Sequence, residues 1–323
     1  MNESGSKTPS VSLGKLRRLQ QAATPEGTFA VLAIDHRGPL RRALAKVGGV
    51  TDVEVALVEL KRDIVRTLAD SSSAVLLDPE TGVEPCVRGG ALPGQTGLLV
   101  ALDTGSTGDP ARLETSLVPG WNPGRIAATG AAGVKLLVYY HPEAANAGAV
   151  EQLVADVSRD CGRHEIPLFL EPLSFDSASP GRPLASAERR RVVVETARRL
   201  TALGVDILKA EFPVAVKEVS GEAVWREACE ELTEASAVPW VLLSAGVPFE
   251  VFVRQATVAC QAGAGGVMAG RAVWDQAVTE GDREARRAWL NTVARERMER
   301  LRSVVGEHGT PAAMLRECMA PGA

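Results

Sequence analysis

Eight short apolar runs, helical periodicity in the stretches between them, and an ionisable residue at the end of nearly every run predict an α/β chain folded as a single (β/α)8 barrel. The runs are rich in Val, Ile and Leu. They read TFAVLAID (28–35), SAVLLD (73–78), GLLVAL (97–102), GVKLLVYY (133–140), PLFLEP (167–172), VDILKAE (205–211), PWVLLSAG (239–246) and GGVMAG (265–270). Runs that are continuously apolar, as opposed to alternating, mark parallel strands covered on both faces. Between them, VEVALVELKRDIVRTLAD (53–70) places apolar residues at three- and four-residue steps. AERRRVVVETARRLTALG (187–204) and FEVFVRQATVACQAG (249–263) do the same and end on Gly204 and Gly263, good helix C-termini. Shorter helices are expected around Asn122–Thr129 and at 143–161. A doubly wound open sheet would show a glycine-rich first turn, whereas IDHRGPL holds a single glycine, so the barrel is preferred.

At 323 residues and 45% hydrophobic content, the chain suits one barrel of ~250 residues with added segments. The expected division is a tail and lead-in helix over 1–25, the barrel over 26–282 and a helical extension over 283–323. The charged, amphipathic stretch 283–309 is expected outside the barrel or at a subunit contact, in a homo-oligomer. A net charge of −4, from 36 basic and 40 acidic side chains well mixed, gives no support for a nucleic-acid or membrane partner. No apolar run approaches the ~20 residues that span a bilayer, and MNESGSKTPS lacks the apolar core of a signal peptide, so a cytoplasmic protein is expected. The cysteines at 86, 161, 229, 260 and 318 are scattered without a CxxC and read as reduced thiols. With four histidines spread along the chain no zinc site is expected, and no cofactor is called for.

Barrel enzymes carry their chemistry at the C-terminal ends of the strands. Here those ends read Asp35, Asp78, Asp103, Lys135, Glu171, Lys209, Ser244 and Arg271. Burying an ionised group costs several kcal/mol unless it is paired, so this regularity points to a site. Lys209, Lys135 and Glu171 together suit iminium chemistry on a carbonyl. A lysine amine attacks a ketone when neutral, and poor solvation with a neighbouring cation favours that state. A single such lysine would read as one half of a structural ion pair. Asp78 reads equally as a turn cap or as a partner ordering a lysine, Asp103 as a loop residue, and Trp121, Trp274, Tyr139 and Tyr140 as rim packing. LLSAGV (242–247) and VMAGRAVW (267–274) each pass from strand through a glycine turn into a helix. Backbone N–H groups at such turns bind anions, the loops after strands seven and eight are common phosphate sites, and Arg271 adds a bidentate guanidinium.

The stretches VLAIDHRGPL, SSAVLLDPETG, LVPGWNPGRIAATGAAGVKLLVYY, IPLFLEPLSF, GVDILKAEFP, PWVLLSAGV and MAGRAVW, in that order over roughly 28–290, resemble the class I tagatose 1,6-bisphosphate aldolases and the related sulfofructose 1-phosphate aldolases. The resemblance implies a metal-independent lyase that cleaves a ketose 1-phosphate to dihydroxyacetone phosphate and an aldehyde. It implies Lys209 as the Schiff-base lysine, Glu171 as the proton-transfer residue, and Lys135 and Asp35 as their charged partners. Ser244, Gly246, Gly270 and Arg271 match the positions that hold the phosphate. One departure is DHR at 35–37, where those aldolases have DQR; a histidine here is similar to aldolase-like proteins of inositol breakdown, and it reads equally as a change of specificity or as a tolerated hydrogen-bonding swap. His36 and Arg37 are expected to read an anionic far end of the substrate, with His36 titrating near ~6.5. Two other classes compete. A metal-dependent barrel lyase or epimerase would use Asp35, Asp78 and Glu171 as ligands but lacks the usual histidines. A phosphosugar-sensing protein on an aldolase barrel would have little reason to keep Lys209, Lys135 and Glu171 together.

Overall fold

Each apolar run becomes a short parallel strand because both of its faces have something apolar to meet. The computed structural model describes residues 11–105, 113–179 and 182–316. The strands are β1 (Phe29–Ile34), β2 (Ala74–Leu77), β3 (Gly97–Ala101), β4 (Gly133–Tyr139), β5 (Leu168–Leu173), β6 (Ile207–Ala210), β7 (Trp240–Leu243) and β8 (Gly266–Ala269). They pair in sequence order and close, with Phe29 opposite Gly266 where β1 meets β8. Alternation sorts their side chains. Phe29, Val31, Ala33, Ala74, Leu76, Leu99, Ala101, Phe169, Ile207, Val241 and Met268 fill the barrel interior. Their neighbours in sequence face the outer helices and form a second, larger core.

The helices are α1 (Leu13–Ala22), α2 (Gly38–Leu44), α3 (Val53–Leu68), α4 (Glu84–Arg88), α5 (Pro123–Ala128), α6 (Ala147–Arg163) and α7 (Ser186–Thr201). They continue with α8 (Glu222–Ala235), α9 (Phe249–Gln261), α10 (Arg271–Trp274), α11 (Gln276–Thr279), α12 (Arg283–Trp289), α13 (Arg295–His308) and α14 (Ala313–Arg316). The expected helices at 53–70, 187–204 and 249–263 appear as α3, α7 and α9, with α6 and α5 near 143–161 and 122–129. The polar, glutamate-rich α8 went unpredicted; it buries Trp225, Ala228, Cys229 and Leu232 on one stripe.

Two features complete the barrel, one at its base and one on its outside. At the base, Leu19 and Ala22 of α1 and Leu315 of α14 join the interior core, so the terminal helices cap the strand N-termini. Lys15 of α1 donates to both oxygens of Asp206 at 2.9 and 2.8 Å, tying the cap to the start of β6. On the outside, α13 packs along α9 and against β1 and β8, while the π-helical turn Leu290–Ala294 packs on α3. This stretch fills the gap between the outer helices of the seventh and first units. Among the described residues Cys86, Cys161, Cys229 and Cys260 are free and buried, and burial pushes each thiol up to about 12, which keeps them protonated. Cys318 lies outside the described residues. No helix among them is long and apolar enough to cross a membrane.

Candidate active site

The alternation that fills the barrel interior also aims its last inward positions at the mouth. Asp35 continues the face of Val31 and Ala33, Asp103 that of Leu99 and Ala101, and Glu171 and Lys209 those of Phe169 and Ile207. The mouth holds a cavity of about 460 Å³. Its walls include all of Asp35, His36, Arg37, Lys135, Glu171, Lys209, Ser244, Gly246, Gly270 and Arg271.

Lys135 is not at a strand end, as read from sequence, but third in a seven-residue strand; its length carries the ammonium up to the mouth. There its Nζ meets three carboxylates: Asp35 at 2.9 Å, Glu171 at 2.9 Å and Asp103 at 3.2 Å. Among the described residues Lys209 Nζ has an ion pair with Glu171 alone, at 2.9 Å from the same Oε2 that Lys135 uses. Burial opposes the charge on Lys135, but Asp103, Asp35 and Glu171 overcome it and hold the ammonium well above the usual lysine range. Burial likewise pushes Asp35 and Glu171 up, and the nearby Lys135 and Lys209 more than reverse it, so both carboxyls lie below the ordinary range. Three carboxylates thus converge on a lysine nitrogen, which fills the place a cation would occupy. Among the described residues no cluster of three or more His, Cys, Asp or Glu is arranged to hold a metal ion.

Asp103 is a loop residue by position, as read, yet it belongs to the mouth. It lies just past β3, but its carboxylate is buried beside Lys135 and accepts from the backbone N–H of Leu137 at 2.9 Å. The strand alternation could have signalled this. Asp78 goes the other way. It is fully buried, accepts from Thr81 N at 2.7 Å, pairs with Lys61 of α3 behind the sheet and does not line the cavity. Both of its sequence readings, cap and lysine partner, hold at once.

Arg37 is also turned into the protein. Its guanidinium donates to Glu80 at 3.0 Å and to the Asp103 carbonyl, leaving Nε without a partner. His36 is half-buried, its ring edge-on to Trp274 at 5.2 Å between centroids, and Trp274 Nε1 is fixed by the Ala33 carbonyl at 3.0 Å. Trp274 is fully buried and is part of the frame, not the rim. Burial pushes the His36 imidazole down to about 4, against the pull of Asp35 and with the push of Arg271 and Lys209. The expected titration near ~6.5 is therefore corrected. Two further residues on the wall were missed: Arg42 of α2, which is exposed, and Glu211, whose carboxylate is taken by Ser174 and by Arg189 at 3.0 Å.

The loops after β7 and β8 interlock. Ser244 Oγ accepts from Gly270 N at 3.1 Å. Ala245 and Gly246 both have positive φ, 47° and 72°, and Val247 N bonds Ser244 O at 3.1 Å, a type I′ turn. An alanine in the left-handed region is uncommon, and such strain gathers at functional sites. Arg271 lies over Gly246, where an added Cβ would come within 2.9 Å of the guanidinium carbon. Among the described residues Arg271 makes no ion pair with the protein.

Residues 29–276 match the family described as DeoC/LacD family aldolase. The chain belongs to that family. It is a Schiff-base aldolase family, and its members are lyases. The tagatose 1,6-diphosphate aldolase of Staphylococcus aureus (strain JH9) is 32% identical over 318 residues, covering 92% of this chain and 96% of that one. That of Streptococcus agalactiae serotype V is 30% identical, covering 92% and 97%. An archaeal fructose-1,6-bisphosphate aldolase, with its catalytic lysine covalently bound to a carbinolamine intermediate, superposes with a TM-score of 0.59 at 18% identity, over 90% of this chain and 99% of that one. At that identity the likeness bears on the barrel alone. This DeoC/LacD aldolase thus carries two lysines in its mouth, one bound by three carboxylates and one by a single shared carboxylate.

Proposed function

We propose that this aldolase reversibly cleaves a ketose 1-phosphate, with tagatose 1,6-bisphosphate as the substrate, to dihydroxyacetone phosphate and glyceraldehyde 3-phosphate, and that Lys209 is the nucleophile. The observation that carries the assignment is the inequality of the lysines. Taking a proton from Lys135 would remove the cation that three carboxylates share. Lys209 has one ion-pair partner among the described residues, Glu171, at 2.9 Å, placed to accept its proton.

The neutral Lys209 amine attacks the C2 carbonyl to give a carbinolamine. The protonated Glu171 returns its proton to the departing hydroxyl, water leaves, and a protonated imine forms. Asp35, or Glu171 once deprotonated, takes the C4 hydroxyl proton. The C3–C4 electron pair flows into the imine, releasing the aldehyde and leaving an enamine. Protonation of the enamine at C3 and hydrolysis release dihydroxyacetone phosphate and restore Lys209. Charge balance fits the scheme: Asp35, Asp103 and Glu171 stand against Lys135, Arg37 and a cationic nitrogen at Lys209, whether ammonium or iminium. The phosphate docks on the Ser244–Val247 turn, Gly270 and Arg271. The single-turn α10 adds little dipole, so the guanidinium carries most of the attraction. Lys135 offsets the negative charge that develops on the C4 oxygen. The relatives' names support tagatose 1,6-bisphosphate over a sulfofructose 1-phosphate or an inositol-derived keto-sugar phosphate.

Borohydride reduction in the presence of dihydroxyacetone phosphate should inactivate the protein and place one triose phosphate on Lys209. An adduct mapped to Lys135 reverses the assignment. Lys209→Ala should abolish cleavage with the fold intact, and a chelator should leave the rate unchanged because the iminium is the electron sink. Tagatose 1,6-bisphosphate, fructose 1,6-bisphosphate and sulfofructose 1-phosphate assayed side by side test the substrate. A large preference for the sulfosugar rejects the bisphosphate.

A further inference from the structure

Asp103 has no proton to carry in the scheme above, yet it is 1% exposed and its contacts belong to the site. Oδ2 lies 3.2 Å from Lys135 Nζ and accepts from Leu137 N at 2.9 Å. Oδ1 accepts from Gly105 N at 2.9 Å and stands 3.9 Å from the Arg37 guanidinium, which also donates to the Asp103 carbonyl. We propose that Asp103 is a positioning residue of this site: it keeps Lys135 a permanent ammonium through the whole reaction cycle, and Arg37 anchors it from behind. The inference rests on the aldolase reading of the site.

The reason lies in which carboxylates stay charged. Lys135 faces Asp35, His36 and Arg37 from the end of β1, Asp103 from β3, Glu171 from β5 and, across Glu171, Lys209 from β6. Glu171 loses its negative charge each time it takes a proton, and so does Asp35 if it serves as base. Asp103 is the one carboxylate partner of Lys135 that stays charged throughout. Without it, Lys135 could shed its proton just when negative charge grows on the substrate oxygen.

Asp103→Asn keeps an oxygen for one of the two backbone donors but removes the charge. Asp103→Glu keeps the charge. Both would be compared with the parent from pH 6 to 10, following cleavage of tagatose 1,6-bisphosphate and the rate of borohydride trapping with dihydroxyacetone phosphate. An opposite charge at this range is worth about one to three pH units, so the alkaline limb set by Lys135, which in the parent lies above this range because the ammonium is held well above the usual lysine range, should move down into it in Asp103→Asn. Its kcat at neutral pH should fall on the order of tenfold, with KM little changed, the pattern of an interaction used in the transition state. The limb should stay in place in Asp103→Glu. Equal kcat losses in both variants with unmoved limbs mean a structural role only, and overturn the proposal. So does a rise in KM with unchanged kcat, or, if the Asn variant does not fold, a displaced limb in Asp103→Glu. A parent that is not trapped at all refutes the aldolase reading; a parent that is trapped, with an unmoved limb in Asp103→Asn, refutes this inference alone.

Discussion

Arg271 and His36 show how much a side chain's partners decide about what it can do. Arg271 lies over Gly246 and has no carboxylate of its own among the described residues, so an incoming phosphate finds a guanidinium with no such partner to give up. Arg271→Ala should raise KM for ketose 1-phosphates strongly, since a charge-assisted contact is worth roughly 1.5–3 kcal/mol; an unchanged KM sinks the cradle. His36 is pinned against Trp274 and disfavours its charged form, titrating at about 4 when folded against ~6.5 when unfolded. Between those values the unfolded chain binds the extra proton. The stability that the neutral imidazole contributes is therefore full above ~6.5 and is lost as pH falls towards about 4. Urea unfolding at pH 5 and pH 7 should show a smaller loss on acidification for His36→Gln than for the parent, and an equal loss would mean that His36 does not titrate in this window. Above pH 6 the imidazole is already neutral, so His36→Gln should leave the pH dependence of the preference for a bisphosphate over a sulfosugar unchanged from pH 6 to 8.

Strand alternation and helix caps explain most elements. Asp52 accepts from Glu54 N and Val55 N to start α3, and Asn122 from Arg125 N to start α5. The strands read easily because both faces are apolar. The polar α8 does not, because its stripe of Trp225, Ala228, Cys229 and Leu232 is narrow among glutamates. The π-helical turn Pro79–Val83 was foreshadowed only by Asp78, which caps it, while the buried partner Lys61 sits in the middle of α3 and looks there like any surface lysine. The cap helix α1 makes a testable demand. It lies so close over the start of β3 that a Cβ at Gly97 would meet the Gln21 carbonyl at 2.4 Å. Gly97→Ala should cost about 1–3 kcal/mol by pushing α1 off the barrel base, read by urea unfolding and by faster proteolysis within residues 11–25. Unchanged stability would mean that α1 yields without loss.

For the whole molecule, the eighth outer position is filled by the stretch from α12 to α13, with Met298, Leu301 and Val305 fully buried along α9 and β1. We infer that a chain ending at residue 282 leaves the outward faces of β8 and β1 open, and should be recovered as aggregate or unfolded protein. A soluble, cooperatively folding product would instead make 283–323 an extension. The sequence by itself determined the barrel, the order of its strands and most of the ionisable residues that line its mouth, though not Arg42 or Glu211. Period-two alternation and apolar continuity are local properties, and the charged residue closing each inward face can be counted off along the chain. Only the closed tertiary structure decided how those charges are shared. That Lys135 collects Asp35, Asp103 and Glu171 while Lys209 has Glu171 alone, and that Arg37 turns to Glu80 and Asp103, depends on side chains from strands up to a hundred residues apart meeting at one mouth. The energies that select among such pairings fall off within a few ångströms and depend on how deeply each group is buried, and neither quantity exists until the barrel has closed.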